Sequence, residues 1–223
     1  MNKMILYKEW LKTRWTVLGA AVVFAAVSFY CLLNLMKIVE IRGGAILWEA
    51  MVEKDALLLN VFRFLPALAG LLLALSQFVP EVLHKRFKLT LHLPYPQNRM
   101  VLIMLGYGLV LLTVLFAVQA GVSALVLRGP LVKELVWRII VSLLPWYLAG
   151  WAAYIFTSAL CLEPAWKKRV PILLVAAGLL YLMFISDTPE AYSLFLPWLL
   201  GYTLLSIVLV FYAVIRFKEG AQD

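Results

Sequence analysis

The residues able to carry chemistry are few. His84 and His92 lie on one hydrophilic stretch with no cysteine beside them and no His-Glu-x-x-His pattern, so zinc ligation is not supported and they read as loop residues at headgroup level. Cys31 and Cys161 fall in separate apolar runs near opposite membrane faces. That is too far apart for a disulfide, so they read as small core residues. No Gly-x-Ser-x-Gly elbow occurs. The carboxylates stand at or beyond the ends of the apolar runs, which argues against an intramembrane aspartyl pair or a proton relay; Glu163, next to Pro164, comes nearest to a buried acid. A Gly-x-x-x-x-Gly-Lys-Ser/Thr stretch is absent, so the chain has no phosphate cradle of its own and no cofactor is expected in it. Arg63 and Arg138 remain as cations at the rim of apolar segments. There they could meet an anionic headgroup on a substrate path, with snorkelling anchorage as the competing reading.

These sparse groups sit in a chain of 223 residues that is 65% hydrophobic and 14% charged. Soluble domains hold about 45–50% apolar and about 25% charged residues, and none of this size could hide so much apolar surface. A hydrocarbon core about 30 Å thick needs about 20 apolar residues per helical pass. That template predicts an all-α membrane protein with six transmembrane helices, at 16–36, 56–79, 100–127, 139–162, 170–185 and 194–215. Pro145 falls inside the fourth, where neighbouring helices can re-satisfy the freed carbonyl. The fifth is short. Either 187–197 forms a re-entrant segment between spans five and six, or a plain loop follows a tilted helix. Within the spans, Asn34, Asn60, Gln77 and Gln119 read as polar glue between helices. Gly106, Gly108, Ala117, Ala120 and Gly121 read as small residues that let helices approach closely.

Residues 1–15 place Met4, Ile5, Leu11 and Trp15 near helical spacing with Lys8 and Lys12 one turn apart, which predicts an N-terminal amphipathic interfacial helix. Orientation follows from the cations of alternate loops. Lys3, Lys8, Lys12, Arg14, Lys85, Arg86, Lys88, Arg99, Lys167, Lys168, Arg169, Arg216 and Lys218 outnumber the acids on their side, whereas the other side is balanced. Both termini are therefore expected in the cytosol. The net charge of +8 is explained by this asymmetry and by anionic lipid, and not by nucleic acid, since no basic run interleaved with aromatics lies outside the spans. The first cytosolic loop, 80–99, mixes charged and apolar residues and is longer than a turn requires. Glu81 to Leu91 can form about three helical turns, with Pro80 in the first and Pro94 as a stop. Something is expected to dock on it.

In this order of elements the chain resembles the membrane (permease) subunits of type-2 ABC exporters, also called type V ABC transporters. The resemblance rests on a short amphipathic lead-in helix, six spans with both ends inside, and a loop between spans two and three in which Glu81 is followed by Lys85, Arg86, Leu93 and Pro94 and then by Gln97, Asn98 and Arg99. A basic loop follows span four, and the connection between spans five and six is broken. The resemblance implies that Glu81, His84, Lys85, Arg86, Phe87, Lys88, Leu93 and Pro94 form a coupling helix seated on a cytosolic ABC ATPase, with Glu163, Lys167, Lys168 and Arg169 as a second contact. It also implies ATP and Mg in that partner, pairing with a second copy or a paralogous permease, and residence in a bacterial cytoplasmic (inner) membrane. Both large loops are shorter than the family's. Two other readings stand beside it: a polytopic enzyme acting on lipid or prenyl substrates, and a membrane scaffold that recruits a cytosolic partner.

Overall fold

Nothing in the first 42 residues can stop a helix abruptly: the first proline is Pro66, the Gly43-Gly44 pair comes only after Arg42, and an isolated Gly19 costs a helix only about 1 kcal/mol. In the computed structural model, which describes residues 2–42, 60–83, 96–129, 131–186, 188 and 190–219, a single helix α1 accordingly runs over Asn2–Arg42. At 1.5 Å per residue it is about 60 Å long, twice the hydrocarbon thickness. The expected interfacial helix and the first span are thus one rod. Over its first four turns the face it turns inward is polar, with Glu9 and Thr13 fully buried while Met4 and Trp15 point outward; further along it buries Phe24, Cys31, Leu32 and Leu35. An interfacial helix would bury its apolar stripe, whereas a helix standing in lipid hides its polar one.

After a 3-10 turn at Asn60–Phe62 come α2 (Leu65–Leu83), α3 (Gln97–Leu127), α4 (Lys133–Leu162), α5 (Trp166–Phe184), α6 (Leu196–Leu205) and α7 (Ile207–Glu219). No strand occurs among the described residues. Among the described residues five helical stretches are long and apolar enough to cross a membrane: Lys3–Ile41, Asn60–Leu83, Gln97–Leu127, Lys133–Leu162 and Leu196–Lys218. The chain is an all-helical multi-pass membrane protein. The expected fifth span corresponds to α5, which stands apart from these five because Lys167, Lys168 and Arg169 occupy its first turn and leave only about 15 apolar residues. The last pass is α6 and α7 together, interrupted at Ser206, whose amide still donates to the Tyr202 carbonyl at 3.0 Å while its Oγ donates to the Thr203 carbonyl at 2.6 Å.

Helix α4 is the centre of the bundle and packs against α2, α3, α5, α6 and α7. It continues through Pro145, as expected. Its closest neighbour is α2, and two glycines explain why. A Cβ on Gly70 would collide with the Gly150 carbonyl, and one on Gly150 would lie 2.8 Å from the Pro66 carbonyl oxygen and 2.7 Å from the Phe116 ring. Backbone therefore meets backbone, the close approach that small residues permit in membranes, where packing replaces the hydrophobic effect as the driving force. Gly108 on α3 makes room for the fully buried Tyr154. A Cβ added at Gly106 or Gly121 would meet nothing within 4 Å, so of the glycines expected to allow close approach in this helix only Gly108 marks one. Phe24, Phe116 and Tyr147 form an aromatic row, with the last two stacked at 4.9 Å. The Tyr147 hydroxyl donates to Gln119, which in turn donates to Ser123 at 3.1 Å.

Side-chain contacts fix how the helices run. Lys12 meets Glu81, Thr13 meets Tyr107, Gln77 meets Tyr154 and Arg216 meets Glu163. These join the N-terminal part of α1, the C-terminal ends of α2, α4 and α7, and the N-terminal part of α3. Both chain ends thus share one end of the bundle, the terminal end. At the opposite end Arg63 donates to the Phe184 carbonyl, and the Glu190 amide donates to Ser142 at 3.2 Å. Successive turns over 190–195 begin at Glu190, which has a φ of 59°. They are pinned to α5 by Tyr192, whose hydroxyl donates to the Leu182 carbonyl at 2.8 Å and accepts from the Ser186 amide at 2.9 Å.

Candidate functional site

Two buried carboxylates mark the terminal end, each where a helix gives way to a connection. The first, Glu81, lies in the last turn of α2. The sequence predicts that the span stops at Val79 and that Pro80 opens a new helix, but α2 carries through Pro80 to Leu83. Proline inside a helix lacks one N–H and crowds the carbonyls a turn earlier. The carbonyl that loses its helical donor is that of Ser76; Lys12 of α1 ties down the next one, its Nζ donating to the Gln77 carbonyl at 3.3 Å while also meeting Glu9 Oε1 at 2.7 Å and Glu81 Oε1 at 2.9 Å. Lys8, one turn earlier, reaches the same Glu81 oxygen at 2.8 Å. Glu81 is 1% exposed, Glu9 is fully buried and Lys12 is mostly buried, while Lys8 keeps contact with solvent, so two lysines face two carboxylates in a largely buried cluster. Buried charges are tolerated only in such paired form.

The cluster is braced from behind. Gln77, one turn before Glu81 on the same face of α2, donates to the Met104 carbonyl at 2.9 Å and accepts from the Tyr154 hydroxyl at 2.8 Å. Thr13 donates to the Glu9 carbonyl or bonds the Tyr107 hydroxyl, at 2.9 and 2.8 Å. Four helices, α1 to α4, are thereby tied around Glu81. One oxygen of Glu9 and one of Glu81 make no hydrogen bond among the described residues.

The second carboxylate, Glu163, caps α4. Its amide closes the last turn on the Ala159 carbonyl, and its side chain turns inward to 1% exposure. Arg216 of α7 lies 3.2 Å from Glu163 Oε1, an ion pair without a well-aligned hydrogen bond, and its guanidinium rests over the Tyr212 ring at 5.6 Å. The Glu163 carbonyl accepts from Arg169 Nε at 3.0 Å, and Glu163 Oε1 receives the Ala165 amide at 3.4 Å. The connection from α4 to α5 is thus held by a cation from the C-terminal helix, as the end of α2 is held by cations from the N-terminal one.

Of the residues singled out in the sequence, Glu81 and Glu163 are anchors within the bundle, while Lys167 and Lys168 are exposed and Arg169 is half-buried. His84, Lys85, Arg86, Phe87, Lys88, Leu93 and Pro94 lie outside the described residues. Arg63 and Arg138 lie at the other end: Arg63 binds the Phe184 carbonyl and rests 5.5 Å over the Phe64 ring, and Arg138 stands 3.9 Å from Glu190. No group of three or more His, Cys, Asp or Glu able to hold a metal occurs among the described residues.

No family model, curated protein or solved structure matches the chain. Its function is therefore read from residues and geometry. Sequence reasoning placed Lys8 and Lys12 on an interfacial helix, treated Arg216 as a topological charge and counted Glu9 only among the acids of that side. The signal was present at short range, since Glu9 is the lone acid among four cations before the first apolar run and lies three residues from Lys12.

Proposed function

We propose that the chain is the permease subunit of an ATP-driven ABC exporter, working as a pair of membrane subunits with a separate cytosolic ATPase. The chain crosses the bacterial inner membrane six times in this reading, with α5 as a short fifth pass, and its terminal end faces the cytosol. The single observation that supports it best is the twin clamp. Both connections at the terminal end begin on a buried carboxylate held by cations of a terminal helix. A loop that transmits force needs a stiff root, and a loop that only joins two spans does not. Here the root of loop 80–99 is tied to four helices, and the root of the α4–α5 connection is tied to the last one. Glu81 and Glu163 then act as anchors, and the exposed Lys167 and Lys168 offer the outer surface to the partner.

The motion this permits is a rigid-body one: nucleotide-driven closure of the ATPase pair displaces the loops, and the joined helices shift between inward-open and outward-open arrangements. ATP and Mg belong to the partner. Purification of the tagged chain from its own membranes in mild detergent is expected to bring down an ATPase of about 25–35 kDa, an ordinary size for such a domain. Glu81→Gln is expected to leave that ATPase bound but to lower transport per ATP hydrolysed. A chain that carries no ATPase, or whose Glu81→Gln variant transports with unchanged stoichiometry, overturns the proposal.

A further inference from the structure

Between α2, α4 and α5 runs an apolar groove of about 560 Å³, within the size range of ligand pockets. It begins at the terminal end beside Leu83 and Arg169 and extends to Leu71 and Leu174. From Leu83 to Leu71 along α2 is about 18 Å at 1.5 Å per residue, close to half of a 30 Å hydrocarbon core, the depth of one leaflet. Its walls are open sideways: Leu75, Leu173 and Leu174 are all partly exposed along it.

Among the described residues Arg169 is the only charged one in the lining, and it stands at the terminal end. Its Nε is committed to the Glu163 carbonyl and its guanidinium lies 5.4 Å over the exposed Trp166 ring. This fixes the fork in place, with no hydrogen bond from its Nη nitrogens among the described residues. Lys167 and Lys168 stand beside it, exposed, and Glu163, whose carbonyl Arg169 binds, has its carboxylate paired with Arg216. The groove therefore combines an apolar slot one leaflet deep with a positive mouth. A planar guanidinium fork matches a phosphate bidentately.

We infer that the groove holds an acyl chain of one anionic glycerophospholipid, whose phosphate is bound by Arg169. A second copy of the chain is disfavoured as occupant. A two-fold contact places the same patch against itself, which would bring the Arg169, Lys167 and Lys168 of both copies together. The inference does not depend on the transport reading, because lipid retention is measured on this chain alone.

The test is native mass spectrometry of the full chain in detergent with equal amounts of phosphatidylglycerol and phosphatidylcholine. One phosphatidylglycerol per chain is expected to survive delipidation in preference to phosphatidylcholine. Arg169→Gln is expected to reduce the preference about tenfold, as loss of a charge-assisted contact implies, and Arg169→Lys to restore part of it. Leu75→Trp fills the slot without touching charge and is expected to abolish retention of both lipids. Melting temperatures confirm that each variant is folded. Equal retention of the two lipids overturns the inference, as does a preference that Arg169→Gln leaves intact. Displacement by inorganic phosphate with Leu75→Trp silent reduces the site to a surface anion contact and also overturns it. If Leu75→Trp instead dissociates a dimer, the groove is an interface between copies and the inference fails.

Discussion

Lys12 is the keystone of the Glu81 cluster, and Lys12→Met shows how much a buried cation is worth there. The methionine keeps most of the stem's volume and removes only the charge. Because Glu9 Oε1 and Glu81 Oε1 contact one ammonium at 2.7 and 2.9 Å, these oxygens lie within about 5.6 Å of each other. With the ammonium gone, two negative charges at that spacing repel by about 3 kcal/mol at an effective dielectric constant of about 20. The Gln77 carbonyl also loses its donor. Lys8 still reaches Glu81 and offsets part of the loss, but it leaves Glu9 without an ion pair. The expected destabilisation is about 3–5 kcal/mol, the cost of removing one partner from a buried pair, or a fall of roughly 6–20 °C in melting temperature for a chain this long. Unfolding by SDS titration in mixed micelles, followed by tryptophan fluorescence, measures it. The decisive comparison is the triple variant Lys12→Met, Glu9→Gln, Glu81→Gln, which removes the stranded charges and is expected to recover at least half of the loss. A single variant within about 1 kcal/mol of the parent refutes the electrostatic account, and so does a triple variant less stable than the single.

Other expectations follow from the same contacts. Gly70→Ala should separate α2 from α4 and cost at least about 1–3 kcal/mol, whereas Gly106→Ala, whose Cβ meets nothing, should be neutral or stabilise by up to about 1 kcal/mol; paired unfolding titrations distinguish them. Tyr154→Phe strips the donor from a buried Gln77 oxygen and should cost about 1–3 kcal/mol in the same titration. Arg216→Met should destabilise by about 3–5 kcal/mol, and adding Glu163→Gln should restore much of it, a coupling that a double-mutant cycle quantifies.

The apolar runs were legible because they depend on length and hydropathy, which are local, and so was the ability of α4 to pass Pro145. The limited apolar length of α5 was visible too, since Lys167, Lys168 and Arg169 take up its first turn. What misled was amphipathicity in α1. The stripe of Met4, Leu11 and Trp15 pointed to a helix lying on the membrane with Lys8 and Lys12 in water. In the bundle Met4 and Trp15 stay exposed, while Glu9 is buried and Lys12 bonds both it and Glu81. Pro80 misled in the same way: α2 carries through it in a bundle where Lys12, 65 positions before Gln77, ties that turn to α1. The carboxylates looked peripheral because they stand at segment ends, and their burial depends on helices far along the chain. Gly70 and Gly150 carry no local pattern at all and become a pair only when two distant helices cross.

That crossing also sets a timetable for biogenesis. Gly150 is synthesised about 80 residues after Gly70, which at about 5–20 residues per second is a delay of roughly 4–16 s. During that interval α2 is already made, but the surface that fits it does not exist. Glu9 does not wait in the same way, because Lys12 neutralises it three residues later on the same helix. Gln77 has to wait for the Tyr154 hydroxyl, and the groove in α2 cut by Gly70 stays unfilled until α4 arrives. The second helix of this protein is therefore the one with most to gain from an insertase that shelters a nascent span, and ribosome stalling between residues 83 and 150 is where its dependence on such help would be greatest.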